Sequence, residues 1–349
     1  RMEEMRAVVE IQTGRGAFKI PAENLFIEEV AGRLGSESLQ DIKIRIELAI
    51  PEEETIRFVE DAAETDGLAL VVPPLDFTVR AILDDRTEEI STFRAYVERL
   101  VAIPDDVDAS RITTGVYIGP DGSFHHVPTR IVVIDGKTYA QLNSITNSMY
   151  SVIWNQATFS DIGNHWARET IVNLGSRLVL SGYEDGRFRP DRPVTRAEFA
   201  AFLVRGLGLL GQEGAGAATF TDVSEKDWYR DAAGTAAAYG LIRGLADGRF
   251  AGSDRITREQ AMAIMARAMA LTGLQGALDD DASEDEMLRS FADAGEVSGW
   301  ARREVAVIVR AGIVLGKDRG ALAPGDMLSR AEAAVLIHRL LTRSGLIED

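Results

Sequence analysis

The sequence predicts a multidomain chain in which a β-rich N-terminal domain, residues 1–158, precedes a mostly α-helical part built from three repeats. Short apolar runs separated by Gly and Pro fill the first part, as is typical of strands joined by turns. From residue 159 the chain becomes self-similar, which indicates an array of like units. A length of 349 residues and a hydrophobic content of 46% are sufficient for more than one packed core.

Composition excludes several classes of protein. The chain has no cysteine, so disulfides, thiolate metal sites and cysteine nucleophiles are excluded. Its net charge of -17 argues against a nucleic-acid partner, which needs a basic face. No apolar run approaches the ~18 residues that a membrane span needs. The chain begins at Arg1 without an initiator Met or a signal peptide, which indicates a fragment or processed product of a longer protein.

The clearest strand of the first part is 42–48, where strict alternation places Ile42, Ile44, Ile46 and Leu48 on one face. Two short strands around a Gly turn are expected within 5–20. Further strands are expected at 68–72, 77–83, 115–118, 129–134 and 151–154, turns at Pro73-Pro74, Asp121-Gly122 and Asp135-Gly136, and short helices at 21–32 and 51–66. This pattern predicts a β-sandwich or a mixed α+β module.

The first part carries no catalytic signature. Its one histidine pair, His125-His126, would point to opposite faces of a strand, so one metal ion could not easily use both. We expect these to be loop or strand-surface histidines. The segment is interpreted as a β-rich spacer or assembly domain, and the alternative is a domain that itself binds carbohydrate or protein.

Three landmarks recur from residue 159 onward. Each unit has a Phe-x-Asp segment, a Trp seven to nine residues later, and a helix-capping hydroxyl residue. The Phe-x-Asp aspartates are Asp161, Asp222 and Asp293; the tryptophans are Trp166, Trp228 and Trp300; the capping residues are Thr195, Thr257 and Ser329. Both the tryptophans and the capping residues are separated by 62 and 72 positions, so the register is constant within units.

Each capping residue opens a capping box, because Glu198, Gln260 and Glu332 follow it at the third position. A first helix is expected before each box, at 167–178, 229–239 and 301–311, followed by a loop that carries Gly182, Gly244 or Gly316. Each unit is therefore predicted to be a helix, a glycine-bearing loop and a capped helix.

An arginine directly follows each capping residue. These three residues, Arg196, Arg258 and Arg330, are called the cap arginines below. A cation at the positive end of a helix dipole is unfavourable by a few tenths to about 1 kcal/mol. The cap arginines are therefore not expected to stabilise their own helices. A bound anion would offset the unfavourable interaction between each arginine and the positive end of the helix dipole.

The units resemble surface-layer homology (SLH) domains, whose pattern is Phe-x-Asp-Val, then Trp, then Gly-x-x-x-Gly-x-Phe-x-Pro, then Thr-Arg-Ala-Glu. We place repeat 1 at 159–210, repeat 2 at 220–274 and repeat 3 at 291–349. The resemblance implies a pseudo-threefold helical trimer of repeats, with grooves between neighbours that bind secondary cell-wall polysaccharide, typically through a pyruvylated sugar. Repeat 2 departs from the pattern with Thr-Arg-Glu-Gln, and repeat 3 with Ser-Arg-Ala-Glu.

The cap arginines are the first candidates for binding that ligand, because a pyruvate ketal carries a carboxylate that a guanidinium and free backbone N–H groups can hold. The three tryptophans are expected either to face a sugar ring or to belong to the core. The three loop glycines are expected to be left-handed helix caps, to allow close approach of a ligand, or both. The three aspartates are favoured as structural, bonding to nearby backbone N–H groups.

The leading hypothesis is a non-enzymatic module that anchors a bacterial surface or S-layer protein at the cell wall. Its partner would be an anionic, pyruvylated polysaccharide; no cofactor, metal ion or nucleic acid is expected, and lateral self-assembly is left open. The alternative is the C-terminal anchor of an exported polysaccharide-degrading enzyme. Segments 210–219 and 275–289 are expected to be mobile linkers between the repeats.

Overall fold

Strands fill the chain up to Trp154, and helices and loops follow. The computed structural model describes residues 8–25, 27–35, 38, 41–210, 220–277, 283–317 and 320–348. The chain forms two compact units, of which the first ends at Asn155 and the second spans Gln156–Ile347.

The first unit consists of two antiparallel sheets. One has the strand order β1-β2-β6-β10-β9, and the other has the order β3-β4-β11-β7-β8 with β5 paired to β4. The strands are β1 (Val8–Thr13), β2 (Gly16–Pro21), β3 (Lys43–Ala49), β4 (Ala69–Leu83), β5 (Arg86–Glu89), β6 (Thr92–Ala102), β7 (Thr114–Ile118), β8 (Phe124–Val127), β9 (Thr129–Ile134), β10 (Lys137–Thr146) and β11 (Met149–Trp154). Two helices, α1 (Ile27–Leu34) and α2 (Glu53–Thr65), complete the unit, and its β-rich character is confirmed.

The two sheets share one core. Phe18 of the first sheet contacts Phe77 of the second edge to face, with ring centroids 5.4 Å apart, and Phe77 contacts Tyr150 at 5.8 Å. Arg99 is fully buried among these rings and donates to Ser144 O (3.2 Å), Thr146 O and Asn147 Oδ1 (2.9 Å). An aromatic cage with carbonyl acceptors therefore holds a buried cation.

The predicted turn at Pro73-Pro74 is wrong, because β4 runs through both prolines as one strand. The pairing register between β4 and β11 shifts there, from Tyr150 opposite Leu75 to Val152 opposite Val72. Proline lacks the N–H that a regular ladder requires, and an irregularity of this kind tolerates that loss.

The predicted turn at Asp135-Gly136 is confirmed, and it joins β9 and β10 as a hairpin. Both residues have positive φ, 51° and 78°, as a two-residue hairpin requires. The expectation of a surface position is wrong for His126, which is buried and hydrogen bonds to Thr114 Oγ1 (2.8 Å). His125 stacks on Tyr117 instead, so the two rings lie in different environments.

Within the second unit, each repeat is a helix, a loop and a capped helix, as predicted. The first helices are α3 (Arg168–Ser176), α5 (Arg230–Ala238) and α8 (Arg302–Arg310), and the capped helices are α4 (Arg196–Gly206), α6 (Arg258–Leu271) and α9 (Arg330–Arg343). All three capping boxes form in full, with hydroxyl and box residue each bonded to the other's backbone N–H. Local sequence thus starts all three capped helices.

The residues before the caps close the three repeats into a ring. Val194 N donates to Leu328 O (2.8 Å), Leu328 N to Ile256 O (3.0 Å) and Ile256 N to Val194 O (3.4 Å). Each capped helix then packs on the first helix of the next repeat: α4 on α5, α6 on α8 and α9 on α3. The arrangement is pseudo-threefold.

The expectation of a linker over 275–289 is wrong for its last residues. Helix α7 (Glu284–Leu288) forms there with a full capping box from Ser283 and Glu286, and it buries Leu288. Residues 211–219 and 278–282 of the predicted linkers lie outside the described residues. Of the helices in the described ranges, none is long and apolar enough to cross a membrane.

Candidate functional site

Each cap arginine reaches out of its own repeat into the loop of a neighbour. Arg330 of repeat 3 enters repeat 1, where it donates to Phe188 O, Ser181 O and Glu198 Oε1, each at 2.8 Å. Its guanidinium also lies over the rings of Phe188 and Tyr183, at 4.5 and 4.8 Å. Arg330 is almost completely buried, so one side chain joins the first and last repeats.

Arg258 of repeat 2 enters repeat 3 in the same manner. It is buried and donates to Leu322 O (2.8 Å) and Glu332 Oε1 (3.1 Å). Burial lowers the pKa of both Arg258 and Arg330 below the ordinary value, and the charges of Glu332 and Glu198 oppose that shift. The box glutamate of the next repeat is therefore the anion that each of these two arginines meets.

Arg196 of repeat 1 enters repeat 2 and finds a different environment. Its Nη2 donates to Arg243 O, and its guanidinium lies 5.3 Å from the Phe250 ring centroid. Across the described residues, its buried Nε has no hydrogen-bond partner and the side chain forms no ion pair. The box position of repeat 2 is Gln260, which carries no charge.

A groove of about 620 Å³ opens between repeats 1 and 2. The repeat 1 side is lined by Tyr183, Arg192, Arg205 and Glu198, and the repeat 2 side by Trp228 and Tyr229; Arg330 of repeat 3 also contributes to the lining. The Tyr183 hydroxyl donates to Glu198 Oε1 (2.6 Å) and accepts from Arg192 Nη1. Burial, followed by the hydrogen bond to Glu198, raises the pKa of Tyr183, so the phenol stays a neutral donor.

Sequence reasoning missed a second set of arginines, ten positions after each capping residue. Arg205 Nη1 donates to Ser181 Oγ (3.0 Å), Arg267 Nη1 to Leu241 O (3.1 Å) and Arg339 Nη1 to Ile313 O (3.2 Å). Burial lowers the pKa of Arg205, and no carboxylate of the described residues lies within ion-pair distance. The signal was available, because these arginines have the same 62 and 72 separations as the caps.

The three tryptophans are exposed, with 66%, 63% and 56% of Trp166, Trp228 and Trp300 accessible. A core role would bury a side chain of this size. The ring of Trp228 faces the groove between repeats 1 and 2, beside Tyr229 at 5.6 Å. These side chains are therefore available to a flat apolar face of a ligand.

The three aspartates each clamp a loop of their own repeat. Asp161 accepts the N–H groups of Phe188 (2.8 Å) and Arg189 (2.7 Å), and Asp222 and Asp293 make the equivalent pairs of bonds. The second donor of each pair, Arg189, Ala251 or Ala323, has φ between 51° and 58°, a strained conformation for a residue other than Gly. The carboxylates hold that conformation in place.

The expectation of left-handed helix caps is wrong for all three loop glycines, because the left-handed residues that follow the first helices are Leu178, Gly240 and Gly312. Gly316 has positive φ, 83°, but it lies four residues beyond Gly312. The loop glycines instead make room for a ring: a Cβ at Gly182 would lie 2.8 Å from Phe159 Cε1, and the values at Gly244 and Gly316 are 2.9 and 2.8 Å from Phe220 and Phe291.

The groove between repeats 1 and 2 thus combines guanidinium groups, a phenol and exposed aromatic faces. Such a surface can bind a polar, anionic ligand with flat apolar faces, which is the chemistry of a charged sugar. Within the described ranges, no group of acidic or histidine side chains is placed to hold a metal ion.

Comparison with known proteins agrees with this organisation. The sequence profile of the S-layer homology domain matches residues 158–200, 219–262 and 290–334. An amylopullulanase from Thermoanaerobacterium thermosulfurigenes is 36% identical over 220 residues, 61% of this chain and 11% of that protein. The exoglucanase XynX of Acetivibrio thermocellus is 35% identical over 201 residues, 57% of this chain and 18% of that protein.

A third relative, the surface-layer 125 kDa protein of Lysinibacillus sphaericus, is 30% identical over 179 residues, 50% of this chain and 14% of that protein. The chain therefore spans less than a fifth of the length of each of these three relatives. The three matched segments each contain one capping box and its cap arginine. The chain contains three tandem S-layer homology domains, a type of module that holds proteins at the cell surface.

Proposed function

We propose that this chain anchors a protein non-covalently to a bacterial cell wall by binding an anionic, pyruvylated secondary cell-wall polysaccharide in grooves between its repeats. The groove between repeats 1 and 2 carries the proposal. Arg192, Arg205 and the exposed ring of Trp228 all line this groove, whose volume is about 620 Å³.

The roles of the arginines in this groove follow from their partners. The charge of Arg330 is already matched by Glu198, at 2.8 Å, so Arg330 positions the groove wall more than it supplies charge. Among the described residues, the Arg205 side chain bonds only to the hydroxyl of Ser181, and Arg192 lies 3.8 Å from Glu198 while bonding to Tyr183. Arg205, assisted by Arg192, is therefore the group that would hold the ligand's carboxylate.

The aromatic side chains would select for a sugar. Trp228 offers an exposed ring beside the guanidinium groups, and Trp166 and Trp300 are likewise exposed at the equivalent positions of repeats 1 and 3. The three loop glycines and the three aspartates support the site by holding the loops against the Phe rings and by fixing the strained residues. They would affect binding through loop geometry.

Residues 1–158 would act as a β-rich spacer or assembly domain on this anchor. A second function for the whole protein is favoured by the relatives that are named as enzymes, an amylopullulanase and an exoglucanase. Under that proposal the same repeats anchor a polysaccharide-degrading enzyme whose catalytic domain belongs to another part of a longer protein. Both proposals require the same wall-binding chemistry here.

Co-sedimentation of the full chain with purified bacterial walls tests the proposal. Walls are used intact, after removal of pyruvyl groups, and after removal of the secondary polymer. We expect binding to intact walls and a loss of at least about tenfold in affinity on each stripped wall. Equal binding to all three preparations would overturn the polymer as ligand.

Two variants locate the site. Arg205→Gln should weaken binding to intact walls by about tenfold or more, because it removes a guanidinium that pairs with no carboxylate of the described residues. Arg303→Gln is the matched control: Arg303 is exposed on α8 and does not line the groove, so its loss should leave binding unchanged. Equal affinities for the two variants would refute the assignment of Arg205.

A further inference from the structure

The three junctions between repeats differ in one charge. Each cap arginine enters the loop of a neighbouring repeat, close to the box residue of that repeat. Arg330 meets Glu198 at 2.8 Å and Arg258 meets Glu332 at 3.1 Å. In repeat 2 the box residue is Gln260, whose Oε1 accepts the Thr257 N–H (3.0 Å) just as the glutamates accept theirs. Gln260 therefore caps its helix as the two glutamates do, but it carries no carboxylate.

The same junction contains a second cation. Arg243 of repeat 2 occupies the loop position held by Ser181 in repeat 1 and Leu315 in repeat 3. Its carbonyl accepts from Arg196, and Arg267 Nη1 donates to the carbonyl of Leu241, two residues before Arg243 (3.1 Å). The side chain of Arg243 is exposed. Arg196, Arg243 and Arg267 are called the three-arginine cluster below.

The cluster lacks a matching anion. Across the ranges that the structure describes, no carboxylate lies within ion-pair distance of any of its three guanidinium groups. Burial lowers the pKa of Arg196, and the nearby charge of Arg267 lowers it further; burial and then the charge of Arg243 lower the pKa of Arg267. Asp222 and Asp254 face Arg196, and Glu304 faces Arg267, but only as longer-range charges that partly offset the repulsion.

One nitrogen of the cluster is also without a hydrogen bond. Arg196 Nε is buried and has no hydrogen-bond partner in the part of the chain that the structure describes, whereas the equivalent Nε atoms donate to Phe188 O in Arg330 and to Leu322 O in Arg258. A buried donor without an acceptor is destabilising, more so on a charged group. An arginine fork with a free nitrogen beside two further guanidinium groups is well suited to an oxyanion.

We propose that the three-arginine cluster is an oxyanion site at the junction of repeats 1 and 2, that it takes a carboxylate or phosphate group of the wall polymer, and that Gln260 determines this specificity. The inference rests on the proposed wall-binding function and adds an anion site that is separate from the groove lined by Arg205, because none of the three arginines of the cluster lines that groove. At the other two junctions an internal glutamate competes for the cap arginine. At this junction an external anion supplies the missing charge.

Gln260→Glu in the full chain is the direct test. It restores the box glutamate of the other two repeats, so the new carboxylate should pair with Arg196 and exclude an external anion. We expect affinity for intact walls to fall by about tenfold or more, with a melting temperature equal to or above that of the wild type. Gln275→Glu adds the same charge at an exposed position of the same unit and should change neither.

Arg243→Gln provides a second variant that does not depend on the box. Its side chain is exposed, so the fold should be retained while the cluster loses one cation. If both Gln260→Glu and Arg243→Gln bind walls as tightly as the wild type does, the inference is overturned and the wall-binding function stands.

Anion titrations decide the matter independently of the wall. Sodium pyruvate and inorganic phosphate are added separately while the Arg Nε–H resonances are followed by NMR. We expect Arg196 Nε–H to shift on titration in the wild type and not in Gln260→Glu. If the wild type fails to bind walls, the proposed function fails, and the cluster is still supported by that shift or refuted by its absence. Walls stripped of pyruvyl groups or of phosphate then show which source the Gln260 dependence follows.

Discussion

Replacing Arg330 tests whether the cap arginines hold the three repeats together. Arg330 donates three hydrogen bonds of 2.8 Å and lies buried over two aromatic rings. Arg330→Met keeps much of the apolar contact but leaves the carboxylate of Glu198 without its cation. Breaking a buried ion pair by removing one partner costs about 3–5 kcal/mol.

Arg196→Met is the matched comparison, because it removes the equivalent side chain from the junction that has no carboxylate. Arg196 is half-buried and, among the described residues, its side chain donates a single hydrogen bond, to a carbonyl, so the loss of this side chain should cost about 1–2 kcal/mol. The expected difference of about 2–3 kcal/mol corresponds to a ratio of about 30- to 150-fold in an opening equilibrium.

Hydrogen exchange read by mass spectrometry measures the free energy of opening within the second unit. The method is suitable because a chain of two units need not unfold in a single two-state transition. The relevant amides are those of Val194, Ile256 and Leu328, which close the ring. The Arg330→Met/Glu198→Gln double variant should be less destabilised than the sum of its single changes by about 1–3 kcal/mol. Equal protection of the ring in Arg330→Met and Arg196→Met would refute the reasoning.

Three further outcomes follow from the structure. Gly182→Ala should lower the thermal stability of the second unit by about 1–3 kcal/mol, because its Cβ would lie 2.8 Å from Phe159 Cε1, whereas Gly163→Ala, with no heavy atom within 4 Å, should be nearly neutral. Arg99→Lys should destabilise the first unit by about 2–4 kcal/mol in urea unfolding, since an ammonium group cannot reproduce the fork to Ser144, Thr146 and Asn147; an unchanged midpoint would contradict this. Burial raises the pKa of Glu198, but the Tyr183 hydroxyl, the Thr195 N–H, Arg330 and Arg192 together lower it below its ordinary value of 4.5. Its contribution to stability is therefore complete above about pH 4.5 and is lost as the pH falls through the lower folded pKa, so urea midpoints of Glu198→Gln should change less between about pH 5 and 3 than those of the wild type.

Local chemistry explains what could be predicted from the sequence. The capping boxes at Thr195, Thr257 and Ser329 involve atoms three residues apart, so the pattern determines their geometry. The same pattern is present before α7, where Ser283 and Glu286 form a capping box. We predicted a linker there because the surrounding acidic residues are typical of a solvated segment.

Long-range partners explain what could not be predicted. Arg330 and Glu198 are 132 positions apart, and Arg258 and Glu332 are 74 apart, so no local pattern relates them. Strands β6 and β10 were missed for a related reason. Both are interior strands of their sheet, and the largely buried run along β10 hides the alternation on which strand prediction depends.

The cap arginines face two demands that conflict. A guanidinium that closes the ring needs a carboxylate beside it, as Arg258 and Arg330 have, because an unmatched charge in the protein interior is destabilising. A guanidinium that binds an external anion must lack that carboxylate, because an internal acid competes at far higher effective concentration than a ligand. The exchange of Glu for Gln at position 260 separates the two demands while the capping bond to Thr257 is kept. Two junctions then supply the stability that allows the third to keep an unmatched cation, and binding of an anion there would stabilise the ring further by mass action.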